Sequence, residues 1–180
     1  VQYWRARSDA IISGVGSVLH DNPRFTLRRA DYEGVKQPIR VILDSRSRTP
    51  RNANVLTDGA PTLIVSNSGL ECFGSLSSVE IEKAAEAELD GPRDLENILK
   101  LLALLGCNDV LVEAGAKVVS SFLKDDYWDE WISYVAPILL GKGSRRLTDL
   151  DVVSIQHGVS AQVTERKMFG PDLRLVLRPA

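Results

Sequence analysis

The sequence is poor in the residues that build metal centres and disulfide frameworks. Its 180 residues include two cysteines, Cys72 and Cys107, and two histidines, His20 and His157. Neither a CxxC nor an HExxH pattern occurs, so no protein-bound metal is expected. Both thiols are expected to stay reduced, as in a cytoplasmic protein. The chain also lacks a strong excess of charge: its net charge is −2, whereas a general nucleic-acid binder would be basic. No apolar run approaches the ~18 residues that span a bilayer. No basic segment followed by an apolar core opens the chain, so neither a membrane partner nor a signal peptide is expected. Internal repeats and low-complexity segments are missing too.

What remains is an ordinary globular composition, 44% hydrophobic and 26% charged, with enough chain for one domain and one core. Apolar and β-branched runs predict strands at residues 9–13, 38–44, 62–66 and 109–113, the last of buried type. A strand at 131–140 carries a possible break at Pro137. Alternation over residues 79–82 predicts a short edge strand. Residues 94–105 read as a helix, with Asp94 as N-cap, an apolar stripe through Leu95, Ile98, Leu99, Leu102 and Leu105, and Gly106 as its stop. A second helix is expected at 116–124. Glycine and proline place turns at 14–17, 20–23 and 170–171, and loops at 50–61 and 69–78. Residues 159–167 and 173–177 form a hairpin pattern. Strand–helix alternation followed by a hairpin implies a three-layer α/β fold whose mixed sheet is mostly parallel, with an antiparallel edge.

Four constellations could carry chemistry. Gly14-Val15-Gly16-Ser17-Val18-Leu19 follows a strand, where glycines let a backbone approach a phosphate. It fails as a Rossmann fingerprint, because Leu19 occupies the third glycine position, Pro23 cuts short any following helix, and the strand-end Asp44 lies thirty residues beyond Gly14 where about 20 is usual. It stands as either a plain tight turn or a nucleotide-binding turn of another kind. Asp44-Ser45-Arg46-Ser47-Arg48 closes a strand, and its hydroxyls and guanidiniums suit the 2′-phosphate of NADP or simply solvent. Glu113-Ala114-Gly115-Ala116-Lys117-Val118-Val119-Ser120-Ser121 joins a strand to a helix start, either an anion site or a capped helix. Arg5, Arg7, Arg24, Arg28 and Arg29 form a local basic group in an otherwise acidic chain, suited to an anionic ligand or to solvation. His20-Asp21 reads as part of the turn rather than as an acid–base pair. Trp4, Trp128 and Trp131 read as core or interface.

Taken in order, these segments resemble the reductase domains of the RibD family of riboflavin-synthesis enzymes. Arg5-Ala6-Arg7-Ser8-Asp9-Ala10-Ile11-Ile12 is similar to the family's arginine-bearing helix end and strand. The stretch from Gly16 to Arg28, with His20-Asp21-Asn22-Pro23 inside it, is similar to the family's TVLxDDPxLTVR segment. Val41-Ile42-Leu43-Asp44-Ser45, Leu111-Val112-Glu113-Ala114-Gly115 and Ala136-Pro137-Ile138-Leu139-Leu140-Gly141 match three further motifs. Ser17 stands where the family has threonine, and Asn22 where it has a second aspartate.

The resemblance implies a dihydrofolate-reductase-like fold and NADPH-dependent reduction of 5-amino-6-(5-phosphoribosylamino)uracil to the ribitylamino product. It assigns Ser17, Asp21, Ser45 and the segment Gly115, Ala116, Lys117, Val118, Val119, Ser120 and Ser121 to the cofactor, and Arg46 joins them as the guanidinium next to Ser45 suited to a 2′-phosphate. Arg5, Phe25, Arg28 and Glu113 go to the substrate, and no catalytic proton donor is evident. It further implies a homodimer and a deaminase domain on a longer parent chain. The family's first strand with its lysine, and the serine–tryptophan cofactor motif that follows it, have no counterpart in residues 1–180. Two other readings remain: a non-catalytic nucleotide-binding or assembly remnant, and a dihydrofolate-reductase-like reductase of another heterocycle.

Overall fold

The structure is a computed structural model that describes residues 1–180. The chain divides into two compact units, Val1–Gly115 and Ala116–Ala180. No helix is long and apolar enough to cross a membrane.

The first unit is built on a five-stranded sheet. In chain order its strands are β1 (Ala10–Gly14), β2 (Ile39–Leu43), β3 (Thr62–Ser66), β4 (Gly69–Phe73) and β5 (Val110–Val112). Their order across the sheet is β4-β3-β2-β1-β5, all parallel except β4, which returns antiparallel beside β3. Three of the predicted strands coincide with β1, β2 and β3, and the antiparallel edge is present. Its location was not foreseen: residues 69–73, expected as loop, form β4.

Every residue of β2 and of β3 is buried, as expected of central parallel strands covered on both faces. Strand alternation and the pairing Ile11↔Arg40↔Thr62 put Ile11, Ile42 and Ile64 on one face. There they cluster with Val15, Val18, Phe25, Ala53 and Val55, and Leu111 packs against the cluster. β5 is half-buried rather than fully buried, and its only strand partner is β1.

Six helices complete the chain: α1 (Gln2–Arg5), α2 (Val15–Asp21), α3 (Asn54–Thr57), α4 (Ser78–Ala85), α5 (Leu95–Leu104) and α6 (Ala116–Lys124). α5 starts as predicted, with the Asp94 carboxylate accepting from the Asn97 amide at 3.2 Å. Gly106 follows it at φ 84, a left-handed conformation that glycine adopts without strain. Two expectations are corrected. Residues 79–82 lie in α4, not in an edge strand, because Ser77 and Glu80 form a reciprocal capping box that satisfies two orphan donors and starts a helix. The glycine turn at 14–17 is the beginning of α2, and the turn expected at 20–23 reduces to its end, where Asn22 caps it at φ 42.

The second unit holds α6 and a three-stranded antiparallel sheet ordered β6-β8-β7, with β6 (Trp131–Val135), β7 (Ala161–Phe169) and β8 (Asp172–Pro179). The expected hairpin is β7–β8. Its two-residue turn starts at Gly170, φ 59, the position where primed hairpin turns require positive φ. The long strand expected at 131–140 stops at Val135, ahead of Pro137. A register shift between Val163 and Glu165 marks a bulge in β7.

Candidate functional site

Parallel neighbours share a carboxyl end, so β2, β1 and β5 deliver three chain segments side by side at one end of the first unit's sheet. These are Asp44–Arg46 after β2, the start of α2 after β1, and Glu113–Gly115 after β5. Glu113 is held in register by its amide, which donates to the Ile12 carbonyl at 3.0 Å. The Ser13 hydroxyl donates to the Glu113 carbonyl at 2.7 Å.

Glu113 and Arg5 form a two-point ion pair. Arg5 Nε and Nη2 donate to the two carboxylate oxygens at 2.9 and 2.7 Å. Its Nη1 donates to the Thr26 carbonyl at 3.1 Å. The guanidinium lies 5.5 Å from the Phe25 ring centroid. Such a fork orients a carboxylate more rigidly than a point charge would. Arg5 is almost wholly buried, while the Glu113 side chain keeps 31% of its surface. Of the two, the carboxylate is the group presented outward.

The pair lines a cleft of about 460 Å³ together with Val1, Gln2, Tyr3, Arg28 and Arg29. Three of the four substrate candidates, Arg5, Arg28 and Glu113, are thereby brought into one place. Phe25 is not: its side chain is 3% exposed and lies beneath Arg5, so it supports the site instead of lining it. The two arginines differ in availability. Arg29 is paired with Asp31 at 2.5 Å. The Arg28 side chain is exposed and its guanidinium has no protein partner, although its amide is bonded.

Sequence reasoning missed how the arm carrying Phe25 and Arg28 is held. Arg40, 1% exposed, reaches from within β2. Its Nη1 donates to the Arg24 carbonyl at 2.6 Å. Both its terminal nitrogens engage the Asp58 carboxylate, at 2.8 and 2.9 Å, and Nη2 also donates to the carbonyls of Val55 and Ala60. Asn54 donates through its amide and side chain to Asn22. No local sequence signal marks Arg40, which interrupts an otherwise apolar strand.

The cofactor candidates are spread over both units. Ser17 is half-buried on α2, and Asp21 is exposed at its end. Ser45 and Arg46 open a loop whose closure is set by Asp44: one carboxylate oxygen accepts from the Thr49 amide and hydroxyl, both at 2.7 Å. The other oxygen is buried without a partner. Gly115 is exposed with open space where a Cβ would sit. In the second unit, Ala116, Val118 and Val119 are half-buried and Lys117 is exposed on α6. Two hydroxyls are already engaged. Buried Ser120 accepts from the Asp149 amide at 2.7 Å, and Ser121 donates to the Lys117 carbonyl at 3.2 Å. Ser120 thus has a structural job within the fold. No three His, Cys, Asp or Glu side chains converge as metal ligands. Burial pushes the Cys107 thiol up to about 11, which leaves it protonated and unreactive near neutral pH.

Comparison with known proteins identifies relatives throughout the chain. The family described as the RibD C-terminal domain matches residues 1–175. The riboflavin biosynthesis protein RibD of Bacillus amyloliquefaciens is 37% identical over 183 residues, covering 99% of this chain and 48% of that protein. The 5-amino-6-(5-phosphoribosylamino)uracil reductase of Buchnera aphidicola (subsp. Acyrthosiphon pisum) is 31% identical, covering 99% of this chain and 90% of that one. Among solved structures, Acinetobacter baumannii RibD superposes with a TM-score of 0.80 at 32% identity, over 99% of this chain and 49% of that one. The chain spans about half the length of the RibD proteins it matches.

Proposed function

The chain belongs to the RibD C-terminal domain family, and from that premise we propose that it is a cytoplasmic, NADPH-dependent reductase domain of riboflavin biosynthesis. Its substrate is 5-amino-6-(5-phosphoribosylamino)uracil and its product the ribitylamino compound. The observation that carries this reading is the cleft itself. An unpartnered guanidinium, Arg28, stands in it beside a carboxylate, Glu113, whose orientation is fixed by Arg5. Arg28 suits the sugar phosphate, since guanidinium forks match phosphate oxygens. Glu113 suits the N–H and O–H donors of the pyrimidine and the opened sugar.

The residues around the strand ends fit a dinucleotide. Ser45 and exposed Arg46 offer a hydroxyl and a free cation for a 2′-phosphate. Ser17 and Asp21 stand on the neighbouring α2. Open space at Gly115 leaves room for a pyrophosphate to approach the backbone, and Ala116 to Ser121 are assigned to the cofactor by the family resemblance. NADPH, when bound, would supply hydride for the imine carbon of the ring-opened ribosylamine, and the imine nitrogen would take a proton from solvent. This chain's residues bind and orient the partner molecule: Arg28 anchors one end, and Glu113 fixes the rotation of the other. Orientation alone accounts for up to about 7–11 kcal/mol in well-placed pairs.

We read residues 1–180 as a domain that joins a deaminase domain on a longer parent chain. We also propose that it pairs with a second copy through its second unit, where Ile138, Leu139, Leu140, Val153 and Ile155 are all at least 68% exposed. So many large apolar side chains in one small unit exceed what a monomer ordinarily leaves in water.

The test is NADPH oxidation with the phosphorylated pyrimidine and with its dephosphorylated form, using this chain and a longer one that includes upstream sequence. Turnover that depends on the phosphate supports the reading. Absence of turnover by both chains overturns it in favour of a non-catalytic remnant. Equal turnover without the phosphate favours a reductase of another heterocycle.

A further inference from the structure

The arm that carries Arg28 forms no helix and belongs to no sheet. Its backbone groups nevertheless have partners on both edges, and two of these partners are glutamine side chains. Gln2, from α1, takes one edge: its Nε2 donates to the Thr26 carbonyl at 3.2 Å and its Oε1 accepts from the Arg28 amide at 2.9 Å. Gln37, just before β2, takes the other: its Oε1 accepts from the Leu27 amide at 2.8 Å and its Nε2 donates to the Leu27 carbonyl at 3.3 Å. In an extended chain the N–H and C=O of one residue point to one side, and those of its neighbours to the other. The two carboxamides therefore do for residues 26–28 what two flanking strands would do. A carboxamide suits this task because it carries one donor and one acceptor on a single planar group.

We propose that Gln2 and Gln37 are positioning residues, a two-sided clamp that fixes the backbone at Thr26–Arg28 and so holds the Arg28 guanidinium at the cleft. This inference rests on the assignment of Arg28 to the substrate phosphate. The two glutamines differ usefully. Gln2 lines the cleft and can touch a ligand directly, whereas Gln37 does not line it. An effect of Gln37 on substrate binding has to pass through the Leu27 backbone.

The deciding variant is Gln37→Met, which keeps length and bulk and removes both bonds. Losing a hydrogen bond of ordinary net strength corresponds to roughly a fivefold change in an equilibrium. The Michaelis constant for the phosphorylated pyrimidine is therefore expected to rise about fivefold, with that for NADPH within about twofold. Gln37→Glu keeps the acceptor for the Leu27 amide and should recover most of the loss, which a purely bulk-filling role would not show. Amide hydrogen exchange gives a readout independent of turnover: Leu27 should exchange faster in Gln37→Met, and Arg28 in Gln2→Met, while the amides of β2 and β3 stay protected. The clamp is overturned if Leu27 exchange is unchanged in Gln37→Met, or if both Michaelis constants rise alike. Arg28→Ala separates this from the underlying assignment. Unchanged substrate affinity in Arg28→Ala defeats the role of Arg28 itself. A large loss there, with none in Gln37→Met, defeats only the clamp.

Discussion

Strands β2 and β7 have the same local geometry and opposite surroundings. All five residues of β2 are buried, and all nine of β7 are exposed. β2 contains Arg40, a full charge inside the core, yet every edge of that guanidinium is bonded. β7 and its partner β8 hold their charges in pairs that reach the surface: Arg174, 12% exposed, pairs with the half-exposed Glu165, and the exposed Arg178 with Glu130 at 2.6 Å. The first unit thus closes its own core and uses an internal ion pair to fix the arm at the cleft. The second unit holds little of its apolar surface inside, Val176 being the one buried residue of its sheet. The contrast separates a unit that closes its own apolar core from one that leaves most of its apolar side chains outward.

The strongest way to break this contrast is to remove one ion-pair partner in each unit. Arg40→Met takes both guanidinium donors from the Asp58 carboxylate, which keeps the Ala60 amide, and leaves the Arg24 carbonyl without its donor beside a buried side chain. Stability in urea is expected to fall by about 3–5 kcal/mol. Arg178→Met removes a partner of an exposed pair and should cost under about 1 kcal/mol. Similar losses for the two variants would refute the claim that the units use charge differently.

Arg28→Ala comes next. Removing a charged hydrogen-bonding group from a phosphate is worth about 1.5–3 kcal/mol. Substrate affinity should fall by one to two orders of magnitude, while NADPH affinity and melting temperature hold. Substrate titration by calorimetry alongside NADPH titration checks this. A parallel loss for both ligands would mean that the arm serves the fold and not the phosphate.

The same contrast explains which parts were legible in the sequence. The strands β1, β2 and β3 are runs of Ile, Val and Leu buried on both faces, so composition announces them. Helix α5 carries its cap, stripe and glycine stop in order. Residues 79–82 misled because four alternating residues also fit one turn of helix. The capping box that decides the matter, Ser77 with Glu80, was readable beside them. β4 was hidden because its glycine start reads as a loop and its sheet partner is set by the tight turn from β3.

Legibility of the site followed whether side chains act locally or across the chain. Glu113 and Ser45 stand at strand ends, where sequence position implies location. The Arg5–Glu113 pair spans 108 residues and the Arg40–Asp58 pair 18, and no periodicity signals such partners. Phe25 was assigned to the substrate by resemblance; its left-handed backbone, φ 53, goes with a ring that lies under Arg5, a placement that position in the sequence does not signal.

On the second unit's side of the comparison, Leu139→Glu puts a charge where the surface is most exposed. If a second copy covers this face, sedimentation at micromolar concentration should show a shift from dimer to monomer. Since Leu139 packs against nothing in its own unit, the unfolding free energy of the monomer should move by no more than about 0.5 kcal/mol. A monomeric unsubstituted protein would refute the proposed pairing.

The smallest effect lies at the start of α4. Glu80 accepts from the Ser77 amide at 2.8 Å and from its hydroxyl at 2.7 Å. These bonds, the backbone one first, hold its carboxyl below the ordinary glutamate range. A carboxyl depressed in the folded state stabilises the fold above its unfolded value, and that contribution disappears as pH falls through the folded value. Acid should therefore fray α4 while β2 and β3 keep their protection, since those strands depend on apolar burial that does not titrate. Amide exchange of residues 79–82, followed from neutral pH downward and corrected for intrinsic rates, should accelerate only in the acid range. Ser77→Ala should loosen the same amides already at neutral pH, by about 1 kcal/mol, whereas Glu80→Gln keeps an acceptor for the Ser77 amide, does not titrate and should flatten their pH dependence. An acid response at α4 that persists unchanged in Glu80→Gln would assign it to a group other than the capping carboxylate.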